Sequence, residues 1–194
     1  MGAERYLLSE GDAITMLRGL TSGRVWRYPV KLYRLILLLL LFAPKVAWAA
    51  GNEDGVAVII GNRDYQSIPN VDFAVNDANA MREFVVGVLG YDPDNIIDLR
   101  NATKAQMEAA FGNERSHKGL LWRYLDPQGG SDVVVFYSGH GVPSLEDRRG
   151  YLLPVNADPN TPQINGYPVD LLYTNLAKLK AKSITVFLDA CFSG

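Results

Sequence analysis

Two residue types able to perform nucleophilic catalysis stand at the ends of two apolar runs. Cys191, the one cysteine of the 194-residue chain, follows Val186-Phe187-Leu188-Asp189-Ala190 and precedes Phe192-Ser193-Gly194. Upstream, Val133-Val134-Val135-Phe136-Tyr137 leads into Ser138-Gly139-His140-Gly141. A short apolar run closed by small and polar residues reads as a buried strand that delivers its last residues to the open end of a sheet. A thiol at one such end and an imidazole at another supply a nucleophile and a base to take its proton. Alone, Cys191 reads as a small buried hydrophobe; beside His140 and the Ser-Gly flank, the catalytic reading prevails. The other histidine, His117, lies in the polar stretch Glu114-Arg115-Ser116-His117-Lys118 and reads as a solvated surface residue. With no second cysteine there is no disulfide within the chain and no zinc or redox motif. Neither a metal nor any other cofactor is expected.

The elements that must position these residues follow from the hydrophobic pattern. Val56-Ala57-Val58-Ile59-Ile60, closed by Gly61-Asn62, is a continuous apolar run suited to a strand buried on both faces. Ala74, Ala78, Met81, Val85 and Val88 recur at helical spacing, and Gly90 ends that helix. Asn95 to Leu99 is a second strand. Thr103 and Gln106 form a capping box for a helix carrying Met107, Ala110 and Phe111, which Gly112-Asn113 interrupts. Leu120 to Leu125 resumes helix, and Asp132 to Tyr137 is the third strand. Tyr151 to Val155 reads as a short strand or hairpin arm that Pro154 marks as an edge. Asp170 is placed to cap a last helix carrying Leu172, Leu176 and Leu179, and Ser183 to Leu188 is a fourth strand. Such alternation predicts an α/β fold with a parallel sheet, right-handed crossovers and helices on both faces. Sites in these sheets sit at the carboxyl ends of the strands, where His140 and Cys191 both fall. Adjacent strands are about 4.8 Å apart, so two side chains at neighbouring ends can meet.

Residues 1–50 read differently from residues 51–194. Arg18, Arg24, Arg27, Lys31 and Arg34 precede the apolar run Leu35 to Ala43, and Ala47-Trp48-Ala49 follows. A basic n-region, a short apolar core and an Ala-x-Ala site make a secretory signal peptide, with cleavage expected after Ala49. The run is shorter than the roughly 20 residues a bilayer demands, although an uncleaved membrane anchor is the alternative. The expected product is exported, to the periplasm or outside the cell. A formal net charge of −2 and scattered Lys and Arg give no support for a nucleic-acid-binding surface.

Ser138-Gly139-His140-Gly141 and Asp189-Ala190-Cys191-Phe192-Ser193-Gly194 resemble the paired motifs of the caspase-like cysteine peptidases, most of all the metacaspase and paracaspase branch. The resemblance continues through Ile60-Gly61-Asn62-Arg63-Asp64-Tyr65, Val75-Asn76-Asp77-Ala78 and Gly150-Tyr151-Leu152-Leu153-Pro154-Val155. It implies a three-layer α/β/α sandwich and an endopeptidase with Cys191 as nucleophile and His140 as its base. It also implies an oxyanion hole from the N–H groups of Gly141 and Cys191, and an S1 pocket in which Asp77 and Asp189 select Arg or Lys. The residues themselves bear on part of this. Glycines on both sides of His140 allow close backbone approach. Asp189, two residues before Cys191, would project to the same face on a strand and attract a cation. Asp77 also reads plainly as a first-turn acid favoured by the helix dipole.

The family continues with further strands beyond the cysteine, whereas this chain stops three residues after it. A longer product, or a partner segment resembling a C-terminal small subunit, is therefore expected, with a peptide or protein of basic P1 as substrate. The rival readings are a non-catalytic caspase-fold scaffold and a flavodoxin-like ligand-binding domain. The latter lacks support, because Gly61-Asn62-Arg63-Asp64 has no phosphate-cradling glycine pattern. Nothing forms a calcium-loop pattern.

Overall fold

A computed structural model describes residues 51–191. The expected signal segment, its membrane-anchor alternative and the Phe192-Ser193-Gly194 flank lie outside the described residues. Among the described residues, no helix is long and apolar enough to cross a membrane.

The chain alternates strand and helix: β1 (Val56–Gly61), α1 (Ala74–Gly87), β2 (Ile96–Arg100), α2 (Lys104–Phe111), α3 (Leu120–Tyr124) and β3 (Asp132–Ser138). A hairpin of β4 (Gly141–Pro143) and β5 (Gly150–Leu152) follows, then α4 (Pro162–Asn165), β6 (Tyr167–Pro168), α5 (Val169–Leu176) and β7 (Ser183–Asp189). The main sheet has the order β2-β1-β3-β7, and all of its pairings are parallel. A small antiparallel sheet, β4-β5-β6, stands beside it.

β1 is central, and both of its faces are covered, which is why its sequence is apolar without alternation. Ala57 and Ile59 pack with Val134, Phe136 and the α1 residues Ala78 and Val85. Val56, Val58 and Ile60 face the opposite layer, with Met107 and Phe111 of α2, Leu121 of α3 and Leu172 of α5. This split obeys the handedness of crossovers. The step from β1 to β2 runs one way with α1 on one face, and the steps from β2 to β3 and β3 to β7 run the other way with helices on the opposite face. Ile59 is fully buried between layers, so truncation to Ala would cost about 2–5 kcal/mol. At the end of β1, Gly61 admits α1 closely, since a Cβ there would stand 2.6 Å from the carbonyl oxygen of Ala74.

The local signals for α2 hold. The Thr103 side chain accepts from the Gln106 N–H, and the Gln106 side chain answers the Thr103 N–H at 2.9 Å. Three expectations need correction. The strand expected over Tyr151 to Val155 is Gly150–Leu152, and it is the central strand of the small sheet rather than an edge. Pro154 falls beyond it, where no ladder N–H is needed. Asp170 does not cap the last helix: Pro168 holds that position, and α5 ends at Leu176, before Leu179. The Asp170 carboxylate lies inside the first turn, where Arg149 grips it with Nε at 3.1 Å and Nη2 at 2.8 Å. β7, expected to be buried, is the outer strand of the described sheet. Its Ile184, Val186 and Leu188 pack on the core while Phe187 is exposed.

Candidate active site

The carboxyl ends of β1, β3 and β7 form one edge, and backbone bonds tie them across it. The N–H of Asn62 donates to the carbonyl of Ser138 at 2.9 Å, and the N–H of Gly139 donates to the carbonyl of Asp189 at 3.2 Å. Ser138 and Asp189 are register partners. Two residues beyond that pair, His140 and Cys191 leave the sheet from adjacent strand ends. Cys191 is exposed, and no hydrogen bond among the described residues joins it to His140. β7 ends at Asp189, so strand alternation stops there and does not impose the common face expected for Asp189 and Cys191. Gly141 opens β4, opposite Leu152. His117 lies apart, partly exposed in the loop between α2 and α3.

His140 is partly buried, and its Nε2 stands 2.8 Å from the carbonyl oxygen of Pro69, in the loop between β1 and α1. A carbonyl only accepts, so Nε2 is the donor here, and in the neutral form of the ring Nδ1 is the nitrogen that carries the lone pair. The ring also meets the Tyr65 ring edge-on, with centroids 4.7 Å apart.

Asp77 and Asp189 come together. They line one open cavity of about 710 Å³ between the first turn of α1 and the end of β7, walled by Met81, Phe84, Phe136 and Phe187. Ser138 Oγ donates to Asp189 Oδ2 at 3.3 Å, which holds one carboxylate oxygen while the side chain stays exposed. Two carboxylates beside apolar walls suit a side chain with an aliphatic stem and a cationic head.

Residues 54–194 match the caspase domain of the peptidase C14 family. The chain belongs to that family. Its four-stranded parallel sheet with flanking helices is the α/β fold the family implies, and the chemical class is that of a cysteine peptidase. A search of curated proteins finds no match to the chain.

In this caspase domain the surroundings of His140 include residues to which sequence reasoning gave no role. Asn62 is fully buried; its Nδ2 donates to the Leu153 carbonyl at 3.1 Å and its Oδ1 accepts from the Ala102 N–H at 2.7 Å. The Tyr65 hydroxyl accepts from the His140 N–H at 2.8 Å, and the Tyr137 hydroxyl donates to the His140 carbonyl at 2.8 Å. Burial pushes both phenols above their ordinary range, Tyr137 well above it, so each stays a neutral hydroxyl. One signal was present in the sequence: a buried run ending in Tyr rather than Phe asks for a polar partner. The Pro69 contribution had none, because every residue carries a carbonyl.

Proposed function

We propose that this caspase domain is an endopeptidase of metacaspase or paracaspase type that cleaves after Arg or Lys, with Cys191 as nucleophile and His140 as base. The Cys191 S–H proton passes to Nδ1 of His140, and the thiolate attacks the scissile carbonyl carbon. The N–H groups of Gly141 and Cys191 hold the resulting oxyanion, each typically worth a few kcal/mol. Collapse breaks the C–N bond, and the imidazolium returns its proton to the leaving amine. Water then attacks the thioester with His140 again as base, releasing the carboxylic acid and restoring the thiol.

The observation that carries the specificity is the shared groove of Asp77 and Asp189, supplied by two separate elements at the same sheet edge. The nearby Pro69 carbonyl supports the base role, since it leaves Nδ1 as the one proton acceptor of the neutral ring. The first fifty residues, with their basic, apolar and Ala-x-Ala order, support export of the enzyme.

The test is turnover of fluorogenic peptides with Arg, Lys or Asp at P1 by the full chain, beside Cys191→Ala and Asp189→Ala. Turnover after Arg or Lys that vanishes with Cys191→Ala and falls about 10–100-fold with Asp189→Ala is expected. Preference for Asp at P1 would sink the pocket. Turnover that survives Cys191→Ala would sink the mechanism.

A further inference from the structure

The backbone of His140 is held from both sides by phenols. Tyr65, on the loop after β1, takes the His140 N–H at 2.8 Å, and Tyr137, near the end of β3, gives its proton to the His140 carbonyl at 2.8 Å. The same carbonyl accepts from the Leu153 N–H at 2.9 Å. The two hydroxyls stand 3.4 Å apart. Both also reach the carbonyl oxygen of Leu153, Tyr137 at 3.0 Å and Tyr65 at 3.2 Å. Each phenol has one proton and two acceptor positions. The shortest contacts therefore assign the Tyr137 proton to His140, the Tyr65 proton to Leu153, and a Tyr65 lone pair to the His140 N–H. Every polar atom of the cluster has at least one partner in that assignment.

We propose that Tyr65 and Tyr137 are positioning residues, clamping the peptide groups on either side of His140 so that its ring keeps one direction between the Pro69 carbonyl and the thiol. The proposal rests on the reading of His140 as the base and deepens it. Two further features point the same way. The Tyr65 ring braces the imidazole edge-on, so one residue holds both the backbone and the ring of His140. Gly139 makes room for the clamp: a Cβ there would stand 2.6 Å from the Tyr65 hydroxyl and 2.8 Å from that of Tyr137. The glycine before the histidine is thus demanded by the phenols as well as by the turn. The clamp joins β1, β3 and the β5 side of the hairpin, so the ring direction is set by three elements at once. Displacement of a reacting group by about 1 Å can cost a hundredfold in rate, and such a clamp guards against it.

Tyr65→Phe and Tyr137→Phe remove only the hydroxyls and keep the packing. Tyr167→Phe is the control, since it deletes another buried hydroxyl, which donates to the Gly112 carbonyl at 2.9 Å away from His140. All three are measured in the full chain, with kcat expressed per active site titrated by an irreversible peptide electrophile ending in Arg. A purely structural role lowers the titrated fraction and leaves kcat per site unchanged. For the two clamp variants, kcat per site is expected to fall about tenfold with KM within about twofold, while Tyr167→Phe keeps both. Clamp variants with wild-type kcat per site, or an equal fall in Tyr167→Phe, would overturn the proposal. His140→Ala separates the levels. If it is inactive the base reading stands and the clamp is judged by the phenols, whereas full turnover in it sinks the base role and the clamp together.

Discussion

The Nε2 atom of His140 stands 2.8 Å from the carbonyl oxygen of Pro69, across 71 residues of chain. That contact depends on the loop between β1 and α1 holding its shape. The loop is tied by Asn70, whose Oδ1 accepts from the Tyr65 N–H at 3.1 Å, and by the Val71 N–H, which donates to the Arg63 carbonyl at 3.1 Å. Removing the first tie releases about 1 kcal/mol of local order. Asn70→Ala is expected to lower kcat several-fold and KM little, measured by steady-state kinetics on an Arg-P1 peptide. An unchanged kcat would mean that the Pro69 carbonyl does not orient the ring.

Gly139 offers a test of crowding at the same place. A methyl group added there meets two hydroxyl oxygens, and a third neighbour, Asn62 Cβ, lies 3.0 Å away. Gly139→Ala is expected to destabilise the fold by about 1–3 kcal/mol, read from urea unfolding. Because the closest obstacle is the Tyr65 hydroxyl, the double variant with Tyr65→Phe should recover part of that loss. Strict additivity of the two changes would show that the phenols are not what excludes a side chain.

At the opposite edge of the sheet, Asp132 joins the starts of β3 and β7. Its carboxylate accepts from Lys182 Nζ at 2.8 Å, Ser183 Oγ at 2.5 Å and Asn52 Nδ2 at 3.0 Å. The Lys182 hydrogen bond foremost, then that of Ser183, holds the carboxyl below the usual range. The folded value is depressed, so the stabilisation is complete above the unfolded value of about 4 and is lost as pH falls through the folded one. The Lys182 partner is exposed and screened, which limits the effect to about 1 kcal/mol or less. Asp132→Asn should melt a few degrees below wild type at neutral pH, with the gap closing under acid. A gap of constant size across that range would assign the loss to shape rather than charge.

The parts of the fold that could be read along the chain are those encoded by local pattern. The unbroken apolar run of β1 announced a strand covered on both faces, and the Thr103 and Gln106 pair marked the start of α2. The two strand ends carrying His140 and Cys191 were legible for the same reason, and the parallel register does set them on neighbouring strands. Pattern failed where a neighbour decides the outcome. Nothing in Tyr151 or Pro154 says that β6 pairs on the far side of β5, and nothing in Val186-Phe187-Leu188 says that β7 has one described neighbour instead of two.

What the sequence by itself determined was therefore chemical: a thiol, an imidazole, two acids and the glycines beside them, each at the end or start of an element that periodicity predicts. Tertiary structure alone decided how they are held. Asp77 and Asp189 share a groove because α1 packs on the face of the sheet to which the end of β7 turns. His140 is oriented by a backbone carbonyl and clamped at its own peptide groups by two phenols, one from the loop after β1 and one from β3 itself. Backbone donors and acceptors are the same in every residue, so contacts made through them leave no mark in a sequence and arise only when the chain closes on itself.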